Sequence, residues 1–162
     1  MVTRGIRNNN PGNIRHGCKW QGLSSVQADR QFCQFVDMKY GVRAMIVTLR
    51  TYVTKYKLNN VAKMIYRWAP PEDHNNTTAY VSQCAAAVGE LTVNLFSVKK
   101  PTNKDMEQAG LQYEFTAQDF KKYVDGQYSK PLYFLVRKMC WIESQYYLSH
   151  EMYLKAMNLI NG

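Results

Sequence analysis

No stretch of the chain approaches the ~18 consecutive apolar residues of a membrane span, so no crossing helix is expected. The N-terminus, Met1-Val-Thr-Arg-Gly-Ile-Arg7, lacks the apolar run of a signal peptide and enters a polar turn directly. The expectation is synthesis as a soluble protein that something else must deliver or release if it acts outside the cytoplasm. Cysteine is sparse, and Cys18, Cys33, Cys84 and Cys140 have neither the close pairing of a zinc ribbon nor a histidine at finger spacing. No metal is expected, and the cysteines leave the redox compartment open. Gly5, Gly12, Gly17 and Gly22 do not open a helix after a strand, and no Ser-His-Asp order is legible. Phosphate-loop and triad chemistry are therefore excluded, and no cofactor is expected.

Acids are also few. The 12 Asp and Glu stand against 21 Lys and Arg, a net charge of +9 that suits a polyanionic partner: nucleic acid, an anionic cell wall or a membrane surface. The cations are dispersed, with Lys99-Lys100 and Lys121-Lys122 among the few adjacent pairs, so no single patch can be drawn and a solubilising surface explains the charge equally well. Apolar residues at 46% and aromatics at 13%, over 162 residues, describe one globular domain, 1–162, long enough to bury a full core.

Along the chain, the first forty residues lack helical periodicity, and Asn8-Asn-Asn-Pro-Gly-Asn13 predicts a type II turn with Gly12 at positive φ. Phe32, Cys33, Gln34 and Phe35 fit a short strand or a loop tucked on the core. From Met38 to Tyr56, Val42, Met45, Ile46, Leu49, Tyr52, Val53 and Tyr56 form a helical face. Asn60 caps a second helix that runs through Val61, Met64, Ile65 and Trp68 and ends at Pro70-Pro71. After the loop Pro71 to Asn76, a third helix carries Tyr80, Val81, Cys84 and Val88 and should stop at Gly89. Leu91 to Thr102 is ambiguous, and Pro101 to Gly110 reads as a connector with one helical turn. Thr116 and Asp119 cap a short helix with Phe120, Tyr123 and Val124, closed by Gly126. Ser149 caps a last helix with Tyr153, Ala156, Met157 and Ile160. No repeat or low-complexity linker appears. The fold class is mainly α, α+β at most, with an irregular N-terminal lobe.

One helix breaks its own pattern. From Pro131 the apolar face is Leu132, Leu135, Val136, Met139 and Cys140, and the next position on that face is Glu143. A carboxylate partly withdrawn from water favours its protonated form, as a general acid working near neutral pH requires. The alternative is a stripe that simply ends there, leaving Glu143 in water. Arg4-Gly-Ile-Arg-Asn-Asn-Asn-Pro-Gly-Asn-Ile-Arg15 is too polar for core packing. Asn8 and Asn9 suit a scaffold role, whereas Asn13 and Arg15, beyond the turn, are better placed to face a ligand.

That run, with Trp20-Gln-Gly22, Phe32-Cys-Gln-Phe35, Tyr40-Gly-Val-Arg-Ala44 and Arg67-Trp-Ala-Pro70, resembles a family of phage and prophage virion-associated proteins of the lysozyme-like superfamily. The Asn-Pro-Gly-Asn-Ile, Trp, Phe, long-helix order also resembles the stretch that follows the catalytic glutamate in flagellar-type glucosaminidases. Arg67-Trp68 with Thr78-Ala-Tyr80-Val81 is similar to soluble lytic transglycosylases, in which such a Tyr lines the cleft. Nothing here precedes the Asn-rich run as a glutamate helix, but Ile142-Glu143-Ser144 resembles the Glu-Ser that ends such a helix. Ser144-Gln145 departs from the Glu-Asn-Gly of the phage family. The resemblance implies a circularly permuted lysozyme-like helical domain, which close termini allow.

It further implies a peptidoglycan-degrading glycosidase of the lytic transglycosylase or muramidase type, with Glu143 catalytic. A transglycosylase needs one carboxyl group, and a hydrolase would draw a second from Asp29, Glu72 or Asp73. Asn13, Arg15, Tyr80, Asp29 and Glu72 are the candidate substrate-binding residues, although Tyr80 on its apolar stripe also suits the core. The implied partners are peptidoglycan glycan strands and other phage virion proteins. The implied setting is synthesis in a host cytoplasm, then association with the virion or release to the wall. The alternatives are a non-catalytic virion structural protein that retains the fold and, less expected, a nucleic-acid-binding protein.

Overall fold

A computed structural model describes residues 2–93, 100–122 and 125–160. Its helices are α1 (Arg4–Arg7), α2 (Met38–Thr54), α3 (Val61–Trp68), α4 (Thr77–Thr92), α5 (Asn103–Gln112), α6 (Lys130–Ser144) and α7 (His150–Asn158), with 3₁₀ turns at Pro71–Asp73 and Ala117–Phe120. The described residues are mainly α. Their only bridges are the isolated antiparallel pairs Arg15 with Phe32 and Leu23 with Phe35. The chain divides into two compact units, Met1–Thr48 with Met139–Gly162, and Leu49–Lys138, so that α2 and α6 each contribute to both.

In the first unit, Cys33, Phe35 and Ala44 form a buried cluster onto which Ile14, Trp20, Leu23 and Tyr40 pack. The loops around it hold through asparagine side chains rather than a ladder. Asn10 donates Nδ2 to the carbonyls of Ile14 and Cys33, both at 2.9 Å, and accepts from the Ile14 amide. Asn9 donates to the Phe35 carbonyl at 3.0 Å. The Ile14 carbonyl also accepts from the Cys33 amide at 2.9 Å, so side chains and main chain together satisfy these backbone groups. Asn8 and Asn9 thus serve as scaffold.

The turn itself differs from expectation. The Asn13 amide closes it on the Asn10 carbonyl at 3.1 Å, but the left-handed residues are Asn9 and Asn13, each at φ 51°, rather than Gly12. Asparagine tolerates that region through local hydrogen bonding. At Gly12 a β-carbon would come within 2.7 Å of the Met45 side chain, which would have to shift. Helix α1, with Thr3 as N-cap, is too short to show periodicity and lies where the sequence predicts no helix.

In the second unit, α3 is capped by Asn60, whose side chain accepts from the Lys63 amide at 3.0 Å. It buries Val61, Met64 and Ile65, each worth about 1.5–3 kcal/mol relative to exposure. Helix α2 ends at Thr54, two residues before Tyr56, and Lys57 turns the chain at φ 59°. Helix α4 does not stop at Gly89 but runs to Thr92. A β-carbon at Gly89 would overlap the Met106 backbone, and one at Gly110 would overlap that of Ala85. Both glycines serve close contact between α4 and α5. The stretch 103–112, expected as a connector, is a ten-residue helix opened by a capping box in which Thr102 and Asp105 each bond the other's backbone. Thr116 and Asp119 form the second box. Buried Asp119 also accepts from Tyr113 Oη at 2.8 Å and Ser129 Oγ at 2.6 Å. The ambiguous segment lies partly outside the described residues, at 94–99, as do Tyr123 and Val124.

Candidate functional site

All five apolar positions on the α6 stripe, Leu132, Leu135, Val136, Met139 and Cys140, are fully buried. Glu143, next on that face, is partly buried, and Ser144 is buried. The end of this helix is grasped by the N-terminal motif at three points. Asn13 Nδ2 donates to the Glu143 carbonyl at 3.1 Å and to Glu143 Oε1 at 3.3 Å. Ser144 Oγ donates to the Pro11 carbonyl at 2.8 Å. Thr3 Oγ1 donates to the Ser144 carbonyl at 2.6 Å. A β-carbon at Gly5 would overlap the Ser144 hydroxyl, which explains the glycine of Arg4-Gly-Ile-Arg7.

Gln145 leaves the helix at φ 52°, in the left-handed region, with its amide on the Trp141 carbonyl at 2.9 Å. Beneath the turn, the Cys140 thiol lies 3.6 Å from Met45 Sδ. Burial, and then the Glu143 carboxylate, push that thiol well above its ordinary range. Asn13 Oδ1 is buried and has no hydrogen-bond partner among the described residues. The site thus presents a partly buried carboxylate, fixed from one side by an amide, beside an unsatisfied acceptor. Such an acceptor is a place where a ligand N–H or O–H gains most, because leaving it bare costs about 1–3 kcal/mol.

Of the residues proposed for this site, the structure brings together Glu143 and Asn13. Asp29 has both oxygens engaged by the protein. Arg4 grips it in a fork, 2.7 Å at each oxygen, and Asn8 Nδ2 and the amides of Gln31 and Phe32 complete the set. Arg4, followed by the Phe32 amide, Asn8 and the Gln31 amide, holds the Asp29 carboxyl well below the usual range. These bonds tie α1 to the loop and occupy both carboxylate oxygens. Arg15 is exposed, its guanidinium 5.3 Å from the Phe32 ring, on which Arg4 also stacks at 4.5 Å.

Tyr80 and Glu72 belong to the other unit. Tyr80 is buried on α4 with Val81 and Cys84, and Glu72 is exposed in the turn Pro71–Asp73. Thr3 and Pro11 are partners of the helix end that the sequence does not announce; the small residue at Gly5 is the available signal. Among the described residues, no group of three or more His, Cys, Asp or Glu could hold a metal ion, and no helix is long and apolar enough to cross a membrane.

No protein-family model matches the chain. It is 40% identical over 92 residues to Protein P5 of Pseudoalteromonas phage PM2, a match covering 54% of this chain and 57% of that protein. The chain therefore spans little more than half the length of the curated relative it matches, and over that span it is similar to a bacteriophage protein.

Proposed function

We propose that the chain is a phage-encoded, virion-associated protein. The similarity to Protein P5 carries this reading, and the motif built around the end of α6 supports it as a lysozyme-like scaffold that needs no catalysis to persist. The Asn-rich run reads as architecture, with Asn8, Asn9 and Asn10 each bonded within the unit. Mass spectrometry of gradient-purified particles, compared with the particle-free lysate, tests the assignment. Depletion of the chain from particles counts against it.

The Glu143–Asn13 geometry favours a second reading, cleavage of peptidoglycan glycan strands in the virion's service. Glu143 protonates the glycosidic oxygen as the bond from the anomeric carbon to that oxygen breaks. The resulting carboxylate then takes the proton of the sugar's own 6-hydroxyl as that oxygen closes an anhydro ring. One carboxylate suffices for this route, consistent with Asp29 being held by Arg4. Asn13 fixes the Glu143 side chain and leaves Oδ1 for a substrate donor. The test is purified protein and Glu143→Gln on isolated peptidoglycan, with fragments read by mass spectrometry. Anhydro-muropeptides from the wild type alone support the reading. No release by the folded wild type, or equal release by the variant, contradicts it.

A further inference from the structure

The stretch Met38 to Pro71 contains seven Lys and Arg and no Asp or Glu. Adjacent basic pairs do not reveal this, because the signal is the missing acids rather than clustered cations. Within the second unit the structure gathers part of the stretch into one cluster. Arg67 stacks over Tyr56 at 4.3 Å and Tyr52 at 5.4 Å, and Lys55 lies 5.3 Å from the Tyr56 ring. Trp68 meets Tyr52 edge-on at 6.4 Å. Lys63 is exposed one turn before Arg67 on α3. Among the described residues, no carboxylate lies in ion-pair range of Lys55, Lys63 or Arg67. Tyr56 and Tyr66 remain 43% and 47% exposed.

We propose that this face, centred on Arg67 and Tyr56 with Lys55 and Lys63, binds the backbone of single-stranded nucleic acid. Rings beneath the guanidinium fix its plane, Arg67 also donates to the Tyr52 hydroxyl, and the N–H groups that remain at its edge are left for a phosphate. Tyr56 serves as the platform that holds Arg67, and exposed Tyr66, the residue before Arg67 on α3, offers a ring to bases, which sugar-phosphate wall polymers lack. The cations carry the salt-dependent part of the affinity. An anionic lipid surface would favour an apolar flank for insertion, whereas here the exposed rings are interleaved with cations. Glu143 belongs to the first unit and supplies no cation or ring to this face, so Glu143→Gln should bind as the wild type does.

The test is fluorescence anisotropy of the full chain with a mixed-sequence single-stranded oligonucleotide across a salt series. The wild type binds at about 50 mM salt and weakens as salt rises. Replacing Lys55, Lys63 and Arg67 together by Ala lowers the log–log salt slope by about 2, at roughly 0.7 per phosphate contact. Tyr56→Ala weakens binding, and Tyr56→Phe, which keeps the ring under Arg67, restores it. No wild-type binding at low salt would overturn the proposal. So would an equal loss on replacing exposed Lys100, Lys104 and Lys121 by Ala, or capture by anionic vesicles without capture of the oligonucleotide. Circular dichroism of each variant confirms the fold before binding is read.

Discussion

Asn13 and Glu143 stand 130 positions apart in the chain, yet one side-chain amide of Asn13 serves both the main-chain carbonyl and the carboxylate of Glu143, at 3.1 and 3.3 Å. Asn13→Ala removes that amide and puts alanine at φ 51°, so it should lower stability in urea by about 1–3 kcal/mol, a hydrogen bond plus left-handed strain. Asn13→Asp should be worse at pH 7, because two carboxylates then face each other, and should recover on acidification as one takes a proton. An Asn13→Asp protein as stable at neutral pH as the wild type would show that the two side chains do not meet.

The Arg4–Asp29 fork gives a pH prediction. The Asp29 carboxyl is held below its ordinary value by Arg4 and the amides around it, so its contribution to stability is present above the unfolded carboxylate's pKa, about 3.9. That contribution fades as pH falls below that value towards the folded one. Thermal melts should show Asp29→Asn less stable than the wild type at pH 7, with the difference narrowing on acidification below about pH 4. A difference that grows on acidification would contradict the assignment.

At Gln145 the left-handed backbone holds a residue with a β-carbon. Gln145→Gly should raise stability by about 0.5–1 kcal/mol, since the steric cost of that region exceeds the added freedom of the unfolded glycine. Chemical denaturation of the pair checks this.

For Gly89 helix propensity and packing predict opposite signs. In an open helix, Gly→Ala gains about 1 kcal/mol. Here the new methyl meets the Met106 backbone on α5, so Gly89→Ala should destabilise, by about 1–3 kcal/mol as overpacking does. Urea midpoints decide the sign.

These residues also show what is legible in a sequence. The α6 stripe is legible because five large side chains repeat on one face, and Asn60 and Ser149 are legible as caps because their side chains precede apolar runs. Helix α5 is not, because Thr102, Asp105 and the close approach at Gly110 hold it, with no apolar period to read. Glu143 can be singled out by its place on the stripe. Its partners cannot, since nothing local marks Thr3, Pro11 or Asn13 as neighbours of a helix end about 130 or more residues away. Asp29 reads as a spare carboxylate because Arg4, its partner, lies 25 residues upstream.

The most direct test of the proposed function is quantitative mass spectrometry of purified particles from the encoding phage or induced prophage. The chain should band with the major capsid protein at a fixed ratio through successive gradients, and Glu143→Gln should be incorporated as fully as the wild type. A chain that stays in the particle-free lysate while the capsid protein bands would contradict virion association.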